Sequence, residues 1–374
     1  MNTITFMLTV SIAVTGVIYT LVILCVINAL QKVHKGGHLH VVSVSVIIAA
    51  RNERSRIGRC LAALTLQDYP ADTWEILVAD DRSSDSTCEV IRRFQTVLDK
   101  LSCIRIDTVP AGISPKKNAL AQAIGHARGE IILQTDADCI PPPSWISGMV
   151  SRFEKETAMV AGIAPYLPEP GMLNSFVRHE YLWNAALSAA SITLRHGTHA
   201  SGRNLAFRRN VFEHLGGYDS MRTILSGDDT LLLQRFRKYN PSSVVTMPAV
   251  STHVHTTSPR TFGSFVRQRI RHMSTGRYFD PFFIILGMVI YGFHLLLIAS
   301  LILSTVSAML LVIFLGGFLW KCMWDAIAAK RVKTVLELDV SWKGFMVNEM
   351  LLTLYMAVMP VLGLFVPVIW KEND

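Results

Sequence analysis

Four groups of residues in this chain carry side chains that can do chemistry, and three of the four are acidic. Val78-Ala79-Asp80-Asp81-Arg82-Ser83-Ser84-Asp85-Ser86-Thr87 sets adjacent carboxylates at the end of an apolar run. At the carboxyl end of a strand in an open parallel sheet, such carboxylates face the crevice where ligands bind. There they can accept hydrogen bonds from the base and ribose of a nucleotide. Gln134-Thr135-Asp136-Ala137-Asp138 ends a second apolar run. Two aspartates spaced i, i+2 can share one hard cation, Mg2+ or Mn2+, with a diphosphate as co-ligand. Ser226-Gly227-Asp228-Asp229-Thr230 opens a helical stretch, where a carboxylate can cap the helix or take a proton from a hydroxyl. An ordinary Asp, with a pKa of about 3.9, is a weak base. It suffices when the transition state is oxocarbenium-like and the proton leaves late. The fourth group, Arg267-Gln268-Arg269-Ile270-Arg271-His272, lies with Arg260 and Arg277 in a basic, amphipathic stretch. Its guanidinium forks suit a diphosphate, and the same helix can rest on anionic headgroups. Taken singly, an acidic turn, a plain loop, a helix cap and an interfacial helix account for each group as well.

These groups need elements to position them. Val44 to Ala50, Glu75 to Ala79 and Glu130 to Thr135 read as buried strands. Ser55 to Leu66 and Ser86 to Leu98 carry helical periodicity, with Ser84 or Asp85 available to cap the second. Strand, helix, strand in succession makes βαβ units and a mostly parallel sheet, hence an α/β domain over about residues 40–280.

The rest of the chain is apolar enough to enter a membrane. Of 374 residues, 51% are hydrophobic and the formal net charge is +8. Residues 4–30 carry no charge, more than the roughly 20 residues a bilayer crossing needs. Residues 1–31 therefore read as a retained anchor. Lys32 and Lys35 follow it, while Met1 to Thr3 carry no basic side chain. By the positive-inside rule the N-terminus lies outside and the α/β domain is cytoplasmic, on a plasma or inner membrane. Residues 281–374 are expected to form about three more helices. Phe282 to Leu319 divides near Ser300 to Ser304, and a basic loop bears Lys321, Lys330, Arg331 and Lys333. The last stretch, Gly344 to Trp370, is kinked or partly interfacial because it holds Glu349, Pro360 and Pro367. The six cysteines form no CxxC pair, which speaks against a disulfide framework or structural zinc. No nucleic-acid-binding pattern accompanies the positive charge, so no nucleic-acid partner is expected.

In order and spacing the four clusters resemble glycosyltransferase family 2. The resemblance covers about residues 42–280 and implies a GT-A, Rossmann-like domain flanked by transmembrane helices. The strand ending at Ala50, with Arg51, Asn52 and Glu53, looks like the family's first strand and turn. Ala50, Asn52 and Glu53 are thereby implied on the donor side, together with Asp81. Asp136 and Asp138 match the family's metal-binding pair, Asp136 also facing the donor. Lys117 falls where relatives carry a Lys before a helix and is implied on the donor side, although Lys116 can take that place. Gly202 and Asn204, in Gly202-Arg203-Asn204-Leu205-Ala206-Phe207, are similar to the loop lining the acceptor site. Asp229 takes the position of the catalytic base, and Asp228, on the acceptor side, stands where many relatives have Glu. Gln268 and Arg271 match the QxxRW element, on the acceptor and donor sides respectively, in an interfacial helix at about 260–278. The final position of that element is His272, not Trp, which argues against processive synthesis.

The resemblance implies inverting transfer from a nucleotide-diphosphate sugar, UDP favoured, to a lipid-linked or saccharide acceptor in cell-envelope glycan or glycolipid synthesis. Three alternatives remain: a processive polysaccharide synthase, a sugar nucleotidyltransferase and a non-catalytic scaffold. The nucleotidyltransferase would need a glycine-rich basic loop where Ala50-Arg51-Asn52-Glu53 stands. His253 and His255 read as a surface pair. Trp183 and Tyr181 read as packing or membrane-interface residues at least as readily as sugar-stacking ones.

Overall fold

The computed structural model describes residues 3–34 and 36–366, without the side chains of Ile4, Arg277 and Leu364. Lys35, Pro367 and Trp370, and the Arg277 side chain, thus lie outside the described residues. In chain order the elements begin with α1 (Thr3–Gln31), β1 (Val44–Ala50), α2 (Ile57–Leu64), β2 (Trp74–Asp81) and α3 (Thr87–Gln95). There follow β3 (Leu101–Ile106), α4 (Pro115–Gly125), β4 (Ile131–Asp136), β5 (Cys139–Ile140), α5 (Trp145–Val150) and β6 (Met159–Gly162). Next come α6 (Met172–Thr193), β7 (Leu205–Arg208), α7 (Arg209–His214), α8 (Thr230–Tyr239), β8 (Val244–Met247) and β9 (His255–Thr256). The chain closes with α9 (Phe262–Met273), α10 (Pro281–Leu303), α11 (Ala308–Leu336) and α12 (Phe345–Phe365).

The chain divides into two compact units. One comprises residues 32–167 and 187–258; the other comprises 1–31, 168–186 and 259–374. This partition differs from the expected one at 280, because the first part of α6 and all of α9 group with the long apolar helices.

In the first unit, seven strands form one sheet in the order β3-β2-β1-β4-β7-β6-β8. The expected βαβ units are present: β1 pairs in parallel with β2 and β4, and β2 with β3. Only β7 runs against the others. Near-continuous Val, Ile, Leu and Ala in β1 and β2 suit strands covered on both faces. Val46, Ile48, Val78 and Leu133 belong to one core, and Ile47, Ala79, Ile132 and Leu205 to the other. Strand order reverses between β1 and β4. That is the switch point outside which an open α/β sheet binds ligands. In register, Ala49 lies beside Asp136 and Ala50 beside Asp80, so the carboxyl ends of β1, β2 and β4 come level.

In the second unit, α1, α10, α11 and α12 are long and apolar enough to cross a membrane, the expected number of spans. Their cores meet through Ile12, Tyr19, Phe293, Leu297, Phe314 and Phe318. Val312, Leu319, Val347 and Val358 stay exposed, as lipid-facing side chains would be. The expected basic loop is corrected: Lys321, Lys330, Arg331 and Lys333 all lie within α11. Lys321 is fully buried, its ammonium on Asp325 (2.7 Å) and on Glu349 of α12. Asp325 also accepts from the Tyr19 hydroxyl of α1 (2.6 Å), and Glu349 pairs with His179 of α6 (2.8 Å). A cation matched by two carboxylates can stay inside a helix bundle, so charge at 321 need not end the helix. For the same reason Glu349 does not interrupt α12, which runs on through Pro360.

Candidate active site

The turn after β1 is sewn to the turn after β2. Asn52, two residues past β1, and Arg82, the residue just past β2, both take left-handed backbone angles with φ of 54°. Such angles cost energy for a side-chain-bearing residue and need support. The Asn52 carboxamide oxygen accepts from the Ser84 amide (2.9 Å), and the Asn52 amide donates to the Ser83 hydroxyl (3.0 Å). The amides of Glu53 and Arg54 donate to Thr87 (2.9 Å) and Asp85 (3.1 Å). Asp85 also accepts from the Thr87 amide (2.9 Å), while the N-cap position of α3 itself is Ser86. Burial pushes the Asp85 carboxyl up, but the Thr87 and Arg54 hydrogen bonds and the Arg54 charge outweigh it and hold the group below its usual value. Asn52 and Glu53 thus build the loop. The Glu53 carboxylate also meets Arg56 at 3.3 Å.

The two adjacent aspartates of the first cluster, Asp80 and Asp81, belong to β2 rather than to a turn. Asp81 is buried and pairs with Arg82 (2.9 Å) and Arg51 (3.9 Å). Asp80 is also buried, and its Oδ1 has no hydrogen-bond partner. A buried carboxylate oxygen without a donor is costly in a finished fold. At the end of β2 it is a buried acceptor without a donor among the described residues.

The second and third clusters share one lysine. Lys116, at the start of α4, places its ammonium 3.0 Å from Asp136 Oδ1 and 3.1 Å from Asp228 Oδ2. Its side chain keeps 23% exposure. Burial opposes its charge, but Asp136, Asp228 and Asp229 prevail and raise its pKa. Lys117 points elsewhere: it is buried and donates to the carbonyls of Ile224 and Ser226 (2.8 Å to the latter). Burial pulls its pKa down to about 8, against the pull of Asp228 and Asp229. The expectation that Lys117 faces the donor is therefore corrected in favour of the alternative, Lys116. Lys117 instead fastens the 224–226 loop to α4, helped by Ser114, which donates to the Arg222 and Leu225 carbonyls.

Asp229, not Asp228, caps α8. Its Oδ1 accepts from the Thr230 amide (2.6 Å) and its Oδ2 from the Gly202 amide (2.7 Å). Burial and the neighbouring Asp228 raise its pKa, against opposing contributions from Lys116 and the two amides. Asp228 is also buried, yet Lys116 and Lys117 hold it below the usual value. It accepts in addition from Gln134 Nε2 (3.3 Å), whose Oε1 accepts from the Tyr218 hydroxyl (3.2 Å). Gly227, at φ 75°, supplies the left-handed step that brings both aspartates round. Gly202 lies against the pair: a Cβ there would meet Gln134 Nε2 at 2.9 Å and Asp228 Oδ2 at 3.3 Å.

Asn204 does not face this cleft. It is fully buried, donates to the Ile163 and Thr252 carbonyls (2.9 Å each), and accepts from the Trp145 indole (2.9 Å). The expected acceptor contact at Asn204 gives way to a structural brace under the Gly202 loop, because its donors are already used. The histidine pair is also corrected: His253 is buried against the Pro248 carbonyl (3.1 Å), and His255 lies in β9, paired with β5 just after Asp138. Gln268 and Arg271 lie on α9 in the other unit, with His272 beside them. Trp183 and Tyr181 pack within that same unit.

Sequence reading missed Gln134 and Tyr218 as parts of the site. The signal was a glutamine amid Ile131-Ile132-Leu133, since an amide buried in a central strand must find partners.

Asp136 and Asp138 offer hard oxygen donors at a strand end. Among the described residues no three His, Cys, Asp or Glu gather into a metal cage. A two-carboxylate, open shell suits Mg2+ or Mn2+ completed by substrate phosphates and water, so the residues fit such an ion.

Comparison with known proteins bears on this geometry. Two family models match the chain, Glycosyl transferase family 2 over residues 45–216 and Glycosyl transferase family group 2 over residues 131–366. The chain is similar to glycosyltransferase AglE of Haloferax volcanii, 28% identical over 61% of this chain and 71% of AglE. It is also similar to probable glycosyltransferase YdaM of Bacillus subtilis, 29% identical over 63% of this chain and 55% of YdaM. Among solved structures, mannosyltransferase PcManGT from Pyrobaculum calidifontis, in complex with GDP-Man and Mn2+, matches with a TM-score of 0.59 at 18% identity. The match covers 94% of this chain and 98% of PcManGT. At that identity the likeness speaks for the fold, which is the expected GT-A type.

Proposed function

The chain belongs to glycosyltransferase family 2, and on that premise we propose that it transfers a sugar, with inversion, from a nucleoside-diphosphate sugar to a lipid-linked or saccharide acceptor at a membrane surface. The product is a cell-envelope glycan or glycolipid. The supporting observation is the meeting of the acidic groups on Lys116 and Gly202: Asp136 from the end of β4, and Asp228 and Asp229 from the start of α8.

In this reading the β1 and β2 ends receive the nucleotide, with Asp80 offering its open oxygen and Asp81 held by Arg82 and Arg51. Asp136 and Asp138 hold Mg2+ or Mn2+, which when bound supplies Lewis-acid stabilisation of the diphosphate leaving group. Lys116 adds positive charge beside Asp136 and Asp228. Asp229 is the base. An ionised carboxylate has about four acceptor positions, and two backbone amides occupy two of them on Asp229. The remaining lone pairs can take the acceptor's proton. Its raised pKa makes it a better base than an exposed aspartate. The acceptor oxygen bonds to the anomeric carbon as the carbon–oxygen bond to the diphosphate breaks. Attack opposite the leaving group inverts the configuration. Arg271 and Gln268 receive their donor and acceptor roles from the family motif, and His272 in place of Trp favours single transfer over polymer growth. The four apolar helices keep the chain at the bilayer, with the transfer unit on the cytoplasmic side by the positive-inside argument.

The donor nucleotide is proposed as UDP on family grounds; the GDP-Man bound to PcManGT makes GDP the first alternative. A screen of UDP- and GDP-sugars for metal-dependent release of nucleoside diphosphate tests the reading. Release with one sugar nucleotide, increased by membrane lipid extract, is expected. No release from any donor, with metal and lipid present, would end it.

A further inference from the structure

Lys116 occupies a position that the donor set of this site makes contentious. Its ammonium bridges Asp136 Oδ1 and Asp228 Oδ2 at 3.0 and 3.1 Å, and Asp136 is one of the two carboxylates proposed for the divalent ion. Asp229 adds a third negative charge beside Asp228. Without a cation, three carboxylates from β4 and α8 would repel one another across this narrow space. Lys116 is the cation in direct contact with two of them and offsets part of that charge. It is also partly exposed: it stands on the first turn of α4 with 23% exposure, whereas its neighbour Lys117 is buried and donates to two carbonyls.

We infer that Lys116 is a placeholder cation, competing with the divalent ion for Asp136 and released to the donor's diphosphate when both arrive, so that metal and nucleotide bind as a coupled pair. The inference rests on the proposed metal and donor assignment. A doubly charged ion on Asp136 and a lysine ammonium on the same carboxylate repel at short range, so either alone is favoured over both together. A diphosphate brings the negative charge that lets both stay. Metal binding without nucleotide is then weakened by Lys116, and metal binding with nucleotide is not. Linkage requires the effect to be mutual: whatever nucleotide does for the metal, the metal does for nucleotide.

The test is direct Mn2+ binding by the full-length protein in detergent, read by electron paramagnetic resonance without nucleotide, with UDP and with GDP. The wild type is expected to bind Mn2+ at least about tenfold more tightly with its nucleotide than without. In Lys116→Met, Mn2+ alone is expected to bind about tenfold more tightly than in the wild type, and the gain from nucleotide to shrink to the part that diphosphate ligation of the metal itself supplies. Lys116→Gln, which keeps a polar head, should behave as Lys116→Met, and Lys116→Arg as the wild type. Equal or weaker Mn2+ binding by both neutral variants without nucleotide, with the nucleotide gain intact, overturns the inference and leaves the proposed function standing. Failure of the wild type to bind Mn2+ with either nucleotide overturns the metal assignment, and the inference with it.

Discussion

The molecule contains two lysines that each sit between two carboxylates, and they differ in what surrounds them. Lys116 joins Asp136 and Asp228 at the carboxyl end of the sheet, with 23% exposure and carboxylates that serve a cleft. Lys321 joins Asp325 and Glu349 among the apolar helices with no exposure, and its partners are held in turn by Tyr19 and His179. The first cluster keeps a solvent-facing side, where the inference above has a cation or phosphate replace one member. The second draws on α1, α6, α11 and α12 and has no such side. Similar charges thus stand partly exposed in one unit and fully buried in the other. Access, not composition, separates them.

The comparison breaks most readily at the buried cluster. Lys321→Met leaves two buried carboxylates without their cation, which costs about 3–5 kcal/mol. Thermal unfolding in detergent should show a large fall in midpoint. Replacing Asp325 and Glu349 by Asn and Gln in the same chain should restore much of it, since no buried charge is then unpaired. Restoration would establish that cluster as structural.

Gly202→Ala should have the next largest effect. The added methyl meets Gln134 and Asp228, and displacing this pair by a fraction of an ångström is expected to lower turnover by roughly 10–100-fold. Unfolding should be little changed, which separates a site defect from a fold defect.

A smaller effect concerns proton transfer. Asp229 must be ionised to act, and burial and Asp228 raise its pKa. The acid limb of turnover should therefore lie above the ordinary aspartate value. Removing the like charge in Asp228→Asn lowers the Asp229 pKa, so the limb should move to lower pH. A limb that moves upward would show that Asp228 matters mainly through Lys116. The smallest effect sharpens the contrast of the two lysines: Lys116→Met should change stability by about 1 kcal/mol or less, because its ammonium is partly solvated.

Much of this was legible in the sequence, and the misreadings have physical causes. Apolar runs gave β1, β2 and β4 within two residues, and uncharged length gave the four long helices. Asp136 and Asp228 could be named but not paired, because the Lys116 that joins them is adjacent to another lysine, and only backbone direction at the start of α4 distinguishes the two. Asn204 sits in a motif that reads as acceptor-lining, yet its neighbours in space, Trp145, Ile163 and Thr252, are far away in the chain. Lys321 was assigned to a loop because an isolated lysine argues against an apolar helix. Its partner Glu349, 28 residues on, removes that objection only once α11 and α12 are packed. Local pattern reports periodicity and turn chemistry, whereas charge compensation is a property of the fold.

The account centres on Asp229 as the base in sugar transfer, and Asp229→Asn tests that most directly. Transfer of labelled sugar and donor affinity would be measured on the same preparation. The substitution keeps the cap oxygen and the shape but removes the negative charge. The expected result is a fall in transfer of at least about a hundredfold, with donor affinity within a few fold of the wild type. Transfer at the wild-type rate would contradict the account, since the proton would then have to leave by another route.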